Sequence, residues 1–206
     1  MIQKITKFLL FTGFLIPSLY STAQQISDAP DKRFGFIGGV NVSNMNFNRG
    51  FPRPATPVAS SWKSGITVGF LLDIALAKKL FLQPEYYFTQ RNGEDKSNET
   101  EYSADYLSFP LLLKYKVSSR FSVLAGPQAE LLIRARDNSH GVDRNITHDM
   151  EERSIGATAG FDFELYRYLI LSARYMRGLN HIGIGQRENV KEFKYDVANL
   201  MVGISF

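Results

Sequence analysis

An all-β fold is predicted for this sequence: an eight-stranded antiparallel up-and-down transmembrane β-barrel with short periplasmic turns and long outer loops. Three observations lead to this fold class. An apolar segment follows two lysines near the N-terminus, apolar and polar residues then alternate in eight segments, and the gaps between those segments are alternately long and short. Strict alternation puts every second side chain on one face of a strand. Short turns at one end and longer loops at the other are typical of membrane barrels.

Period-2 alternation defines the eight predicted strands. It is most regular in the sixth, where odd positions from Ile155 to Leu165 are apolar and the even positions between them are small or polar. The predicted strands are 34–43, 64–74, 80–91, 106–117, 121–134, 154–165, 168–178 and 195–206. The gaps 75–79, 118–119 and 166–167 are short, whereas the gaps 44–63, 92–105, 135–153 and 179–194 are long.

The N-terminus predicts an export signal. Lys4 and Lys7 form a positive region, and the apolar residues 8–20 are too few for a membrane-spanning helix, which needs about 20. Small residues at 21–23 supply a cleavage site before Gln24. The predicted domains are a cleaved signal peptide at 1–23, a short periplasmic segment at 24–33 and an outer-membrane barrel at 34–206.

Composition excludes several classes of function. The 206-residue chain has no cysteine, which removes disulfide scaffolds, thiolate metal sites and a lipidated N-terminal cysteine. Its 24 Lys and Arg fall to 22 without Lys4 and Lys7, against 20 Asp and Glu, which is too even for a nucleic-acid partner. The mean hydropathy of −0.16 is compatible with a membrane barrel, because lumen-facing polar residues offset lipid-facing apolar ones.

Charged residues of both signs on the polar strand faces are the candidate functional residues. We expect them to point into the lumen as a network of ion pairs, because an ion buried alone is strongly unfavourable. Eight strands leave an interior just wide enough for side chains, so this network is predicted to plug the barrel. A gated channel or proton path is the alternative. The lumen candidates are Asp73, Glu85, Arg91, Lys114, Lys116, Glu130, Asp162, Glu164 and Arg174.

Periodicity alone does not tell which strand face points outward. A periplasmic or secreted lipocalin-like barrel would turn the apolar face inward around a small ligand and leave the charges in water. Two features favour the membrane. The apolar faces run for about 9–11 residues, the length of a tilted spanning strand. Aromatic residues near the segment ends, including Tyr106 and Tyr195, suit an interfacial girdle.

No catalytic, cofactor-binding or metal-binding residue is predicted. His140, His148 and His181 all fall in long gaps. His148-Asp149, followed by Glu151-Glu152, is the nearest approach to an acid–base or metal cluster, and it has no recognised ligand spacing. An outer-membrane hydrolase is therefore the lesser alternative.

Several stretches carry a family resemblance. They are FGFIGGVN at 34–41, FLQPEYY at 81–87 followed by Gln90, YLSFPLLLK at 106–114, Gly126-Pro127-Gln128, Gly160-Phe161-Asp162, Ala173-Arg174-Tyr175 and Gly178-Leu179. Together they resemble the PorT-like outer-membrane β-barrel family of Bacteroidetes. The terminal Phe206 resembles the signal that hands such barrels to their assembly machinery.

The resemblance implies an integral outer-membrane location after signal-peptide export. Outer-membrane lipid and the barrel-assembly machinery are then expected partners. Some members of the family support protein secretion, which makes envelope or secretion proteins further candidate partners. The predicted function is a non-enzymatic structural or interaction role, in protein secretion or envelope assembly.

Overall fold

Most of the described chain forms β-strands, as the alternation of apolar and polar side chains predicts. The computed structural model describes residues 32–50, 55–185 and 191–206, so the predicted signal peptide and most of the predicted periplasmic segment lie outside the described residues. The strands are β1 (Lys32–Asn46), β2 (Ser60–Ala77), β3 (Leu80–Asp95), β4 (Thr100–Lys116), β5 (Phe121–Ser139), β6 (Val142–Asn145), β7 (Arg153–Tyr166), β8 (Leu169–Gly178), β9 (Ile182–Ile184) and β10 (Lys191–Ser205). Short 3₁₀ turns occupy Phe47–Arg49 and Thr147–Asp149. In the described part of the chain, no helix is long and apolar enough to cross a membrane.

Eight of these strands close into a barrel. Each pairs antiparallel with the next in the order β1-β2-β3-β4-β5-β7-β8-β10, and β1 pairs with β10 to complete the ring. The closing ladder runs from Gly35 opposite Ser205 to Asn46 opposite Lys194. The small strands β6 and β9 add to β5 and β10 at the loop end. The predicted eight-stranded antiparallel barrel is confirmed.

The strands continue beyond their predicted ends. The gap predicted at 92–105 is mostly strand, because β3 and β4 stay paired from Asn92 opposite Ser103 to Asp95 opposite Thr100. Only residues 96–99 remain as a turn. The outward side chains are polar here and apolar alternation disappears, but the backbone groups still need hydrogen-bond partners, which the ladder supplies. We call the part of the wall above the apolar outer surface the rim.

The outer surface of the barrel is apolar and its interior is polar. Outward side chains are widely exposed, for example Phe36 at 51% and Leu113 at 48%, whereas inward Lys114 is 1% exposed. This is the reverse of a soluble protein and is the arrangement of a wall that faces lipid. It contradicts the lipocalin-like alternative, in which Asp73, Glu85, Lys114 and Asp162 would face water; all four are buried.

Two predicted girdle aromatics lie inside the barrel instead. Tyr106 shares the parity of the inner face of β4, to which Ser108 and Lys114 also belong. The β-bulge beside it adds a residue to β5 instead, where Asp105 pairs with Arg134 and Tyr106 with Leu132. Tyr195 shares the parity of the inner face of β10. Tyr106 and Tyr195 are 0% and 1% exposed, so both belong to the interior.

Candidate functional site

The nine candidate lumen residues divide into a buried group and a pair at the turn end. Asp73, Glu85, Arg91, Lys114, Glu130, Asp162 and Arg174 are all buried. Lys116 and Glu164 form an ion pair of 3.4 Å, with about a quarter of each side chain exposed. The buried seven come from six strands, so the closure of the barrel brings together charges that are far apart in sequence.

The first buried cluster is built on Arg91 and Glu130. The guanidinium of Arg91 meets the carboxylate of Glu130 through both terminal nitrogens, one of them at 2.6 Å. Gln128 and Ser108 donate further hydrogen bonds to Glu130 Oε1, at 2.7 and 3.1 Å. A two-pronged contact of this kind is the strongest form of ion pair and holds both groups in one orientation.

The rings of Tyr106 and Tyr195 cover the guanidinium of Arg91. Its central carbon lies 5.1 Å from the Tyr106 ring centroid and 5.0 Å from that of Tyr195. The rings of the two tyrosines are themselves perpendicular, with centroids 5.8 Å apart. Cation–π contact and the carboxylate together replace the water that Arg91 loses on burial.

The second buried cluster is built on Arg174. Its Nη1 donates to Glu85 and, at 2.6 Å, to the hydroxyl of Tyr87, which in turn donates to Glu85. The Nε donates at 2.9 Å to Ser172, whose hydroxyl donates at 2.7 Å to Asp162. One guanidinium thus organises two carboxylates on different strands.

Lys114 extends the second cluster towards the turn end. Its ammonium lies 2.9 Å from Asp162 and 3.4 Å from Asp73. Asp162 therefore joins Lys114 to the Arg174 cluster, and Lys114 bridges two carboxylates. Each of the buried charges has a partner of opposite sign, as the low dielectric of the interior requires.

Uncharged polar groups fill the space beside the two clusters. The Asn41 side chain donates to the hydroxyl of Thr67 at 3.0 Å and to that of Thr89 at 3.3 Å. Residues of both clusters, Arg91 and Arg174, border an internal cavity of only about 10 Å³. That volume holds about one water molecule, so the two clusters pack closely against each other around it.

An apolar plug closes the loop end of the barrel, and sequence reasoning missed it. We use this name for one buried set: Met45, Phe47, Tyr102, Ala104, Tyr106, Leu132, Ala135, Ile146, Met150, Met176, Ile182, Phe193, Tyr195 and Val197. Phe193 packs against Phe47 in a tilted contact and against Tyr195 edge to face, with ring centroids 5.5 and 4.9 Å apart. The available signal was the run of apolar residues at positions 193, 195 and 197, which share the parity of the lumen face.

The histidines and carboxylates of the described residues do not gather into a metal-binding group. Within the described ranges no group of three or more His, Asp or Glu side chains could hold a metal ion. His140 stands on the rim, with 73% of its side chain exposed and its Nδ1 3.8 Å from Glu99. What the arrangement does chemically is neutralise charge in the centre of the barrel and hold the strands in register.

Known proteins similar to this chain are outer-membrane barrels. The model of the outer membrane protein beta-barrel domain family matches residues 22–183. Among proteins of curated function, none matches the sequence.

Several solved structures have the same fold. Ail, the attachment invasion locus protein of Yersinia pestis, superposes with a TM-score of 0.50 at 13% identity, over 84% of this chain and 98% of Ail. Neisserial surface protein A gives a TM-score of 0.50 at 12% identity, over 85% of this chain and 97% of its own. AlkL, determined in lipid bilayers by solid-state NMR, gives a TM-score of 0.51 at 15% identity, over 86% of this chain and 90% of its own. At such identities the likeness concerns the fold alone.

Proposed function

This chain belongs to the outer membrane protein β-barrel domain family, and we propose that it is a non-enzymatic, non-conducting member that acts by binding other envelope proteins through its rim. Its place is the outer membrane, with the apolar wall in lipid. Export by the signal peptide at 1–23 and membership of the PorT-like branch, with its link to secretion or envelope assembly, are parts of the same proposal.

The closed interior is the observation that carries this proposal. Ions entering from the turn end would meet the Lys114 and Arg174 clusters, and beyond Arg91 they would meet the apolar plug. Moving through either would require a paired buried charge to separate, which costs several kcal/mol. Surfaces for function therefore lie on the outside of the barrel.

The rim is the outer surface best suited to a protein partner. It stands above the lipid-facing wall on strands that are rigidly paired, as in β3 and β4 up to Asp95 and Thr100. Its outward side chains, such as Glu101 and Arg144, are 63% exposed. Rigid presentation lowers the conformational entropy lost on binding.

Conductance in planar bilayers tests whether the interior is closed. The purified full-length protein should insert and give no stepwise current, while a porin preparation measured in parallel gives open-channel steps. Discrete ion-conducting steps from the wild-type protein would overturn the non-conducting assignment and favour the gated channel.

Site-specific photo-crosslinking in cells tests the partner-binding rim. A photoreactive amino acid at Glu101 or His140 should capture a discrete envelope protein, because both side chains are exposed on the rim. Two control positions carry the same photoreactive amino acid. Leu113 lies on the lipid-facing wall, and Lys79 lies in the turn after β2. Adducts from Lys79 alone would place the partner on the periplasmic side and contradict the proposal.

Phe206 is proposed as the signal read by the barrel-assembly machinery. Its side chain is 68% exposed, and its backbone N–H donates to the carbonyl of Phe34 at 2.7 Å, beside the closing ladder. A Phe206→Ser variant should therefore reach the outer membrane in smaller amount while keeping the stability of the assembled barrel. Unchanged membrane yield in a pulse-labelled culture would remove this role.

A further inference from the structure

A basic pocket lies on the outer wall where β1, β8 and β10 meet the rim. It encloses about 680 Å³, and the residues that matter for its chemistry are Arg49, Arg177, Gly178, Leu179, His181 and Lys194. Among the described residues that line it, none is acidic. The pocket therefore combines three cationic side chains and one histidine around a single space.

The pocket sits at the upper edge of the lipid-facing surface. On β8 the outward residues Leu169, Leu171 and Ala173 are apolar, Tyr175 follows, and Arg177 is the next outward residue. A strand rises about 3.4 Å per residue, which puts Arg177 about 7 Å beyond Tyr175 along the strand. The hydroxyl of Tyr175 donates to Asp196 at 2.8 Å, as an aromatic residue at a membrane interface commonly finds a polar partner. Arg177 is consequently at the depth of lipid head groups.

The cations of the pocket keep hydrogen-bond donors available. Arg49 pairs with Asp196 at 3.2 Å through one terminal nitrogen. Lys194 donates one bond, at 2.8 Å, to the carbonyl of Leu179, and an ammonium has two more protons. The guanidinium of Arg177 makes no ion pair or hydrogen bond with the residues that the structure describes. Asp196, which lies opposite Arg177 in the β8–β10 ladder, pairs with Arg49 and accepts from Tyr175. Three cations therefore share one carboxylate, and a further anion among them would be stabilised.

We propose that this pocket binds the phosphate group of an outer-leaflet lipid, with Arg177 and Lys194 donating to the phosphate oxygens and Arg49 adding charge. A guanidinium fork matches two phosphate oxygens at once. The acyl chains of the same lipid would lie on the apolar wall directly below, along Tyr175 and Ala198, which face each other across β8 and β10. The continuity of cationic pocket and apolar wall favours a lipid over a soluble phosphate. This inference does not depend on the partner-binding role of the rim.

Lipid titration of the reconstituted protein tests the site. The full-length protein is placed in phosphatidylcholine nanodiscs containing increasing phosphatidic acid, whose head group is a phosphate monoester, and bound lipid is counted by native mass spectrometry. Losing one charge-assisted contact should weaken retention of phosphatidic acid about tenfold in Arg177→Gln, and Arg177→Lys should restore part of it. Arg136→Gln is the matched control, because Arg136 is an exposed arginine near the rim end of β5, on another part of the barrel wall.

Each other outcome of this experiment has a defined meaning. Equal losses in Arg177→Gln and Arg136→Gln would show a general effect of surface charge and overturn the site. If inorganic phosphate at the same concentration displaced the lipid, with the same dependence on Arg177, the site would be one for free phosphate and the lipid assignment would be wrong. Folding is checked by the faster migration of unboiled barrel on a gel. Should Arg177→Gln fail that check, Lys194→Gln serves as the test variant, with the same loss expected.

Discussion

At the scale of single residues, the interior is governed by the cost of burying charge. Arg91 shows how the molecule meets that cost, since Glu130 neutralises the guanidinium and two tyrosine rings cover it. At the turn end, Lys116 and Glu164 are partly in water and depend much less on each other. A buried ion pair and a partly exposed one therefore differ greatly in how much the stability of the barrel depends on them.

Breaking the Arg91 pair should be severe. Glu130→Ala leaves the guanidinium buried without its carboxylate, so we expect the free energy of unfolding in detergent micelles to fall by about 3–5 kcal/mol. The double variant Arg91→Met/Glu130→Leu should recover most of that loss, because it removes both charges. Lys116→Ala is the control and should change the free energy of unfolding by less than about 1 kcal/mol. Similar effects from Glu130→Ala and Lys116→Ala would contradict the burial argument.

Tyr102 on the rim should make stability depend on alkaline pH. Burial raises the pKa of Tyr102 to about 12, and the nearby carboxylates of Asp95 and Asp137 add to the rise. The unfolded chain loses this proton near pH 10, so the contribution of the neutral phenol is complete below about pH 10 and is lost as the pH rises towards 12. The slope approaches about 1.4 kcal/mol per pH unit.

The measurement is urea unfolding at several pH values between 9 and 12, with Tyr102→Phe as the matched variant. Phenylalanine has no proton to lose, so the free energy of unfolding of the wild type should fall relative to that of the variant as the pH rises through this window. A difference that stays constant would mean that Tyr102 titrates normally in the folded barrel.

At the scale of strands, each barrel strand contributes one outward face and one inward face of different polarity. In β7 the outward positions from Ile155 to Leu165 are apolar, while Thr158 and Asp162 point inward and are buried. In β3 and β4 the outward face becomes polar above the membrane, yet the pairing continues to Asp95 and Thr100. Side-chain pattern and backbone pairing thus end at different points along one strand.

A charge in the middle of an outward face should prevent assembly. Ala159 lies centrally in the apolar face of β7 and is exposed, so replacing it removes no packing. We expect Ala159→Arg to cost about 2–4 kcal/mol of membrane stability and to lower the amount of heat-modifiable barrel in membrane fractions. Ala159→Leu should assemble normally. Normal assembly of Ala159→Arg would mean that this face does not meet lipid.

At the scale of the whole molecule, closure of β1 on β10 turns a sheet into a barrel without edges. The two strands are at opposite ends of the described chain, and Phe36 faces Ile204 across the seam. Only this pairing converts the inward faces into an enclosed interior, so every buried ion pair depends on it.

A disulfide across the seam should form in the assembled barrel. The wild-type chain has no cysteine, which leaves the introduced pair as the only thiols. Directly opposed residues lie about 4.5–5.5 Å apart between Cα atoms, within the range of a disulfide. Phe36→Cys/Ile204→Cys should therefore lose its free thiols on mild oxidation, whereas Phe36→Cys/Leu113→Cys, with the second thiol on β4, should keep them. Free thiols in the first variant would contradict closure at this register.

Much of this architecture could be predicted from local pattern. Alternation with a period of two is a property of consecutive residues, so it identified eight strands and placed Lys114 and Asp162 on faces of the same polarity. Alternating gap lengths then predicted an up-and-down barrel, which the closed sheet confirms. Where outward residues become polar, as from Asn92 to Asp95, the pattern fades although the strand continues.

The sequence by itself determined the eight strands of the barrel and the polarity of their two faces, because these depend only on neighbours along the chain. The burial of the charged face inside the barrel was settled by the tertiary structure. The tertiary structure alone decided which charges pair, where the interior is sealed and which basic residues share a pocket. Arg91 pairs with Glu130, which is 39 residues away in the sequence, and Arg174 pairs with Glu85, which is 89 residues away. Such partners follow from strand register and barrel closure, which no pattern of neighbouring residues specifies, and the one-residue shift between β4 and β5 beside Tyr106 shows how register departs from simple alternation.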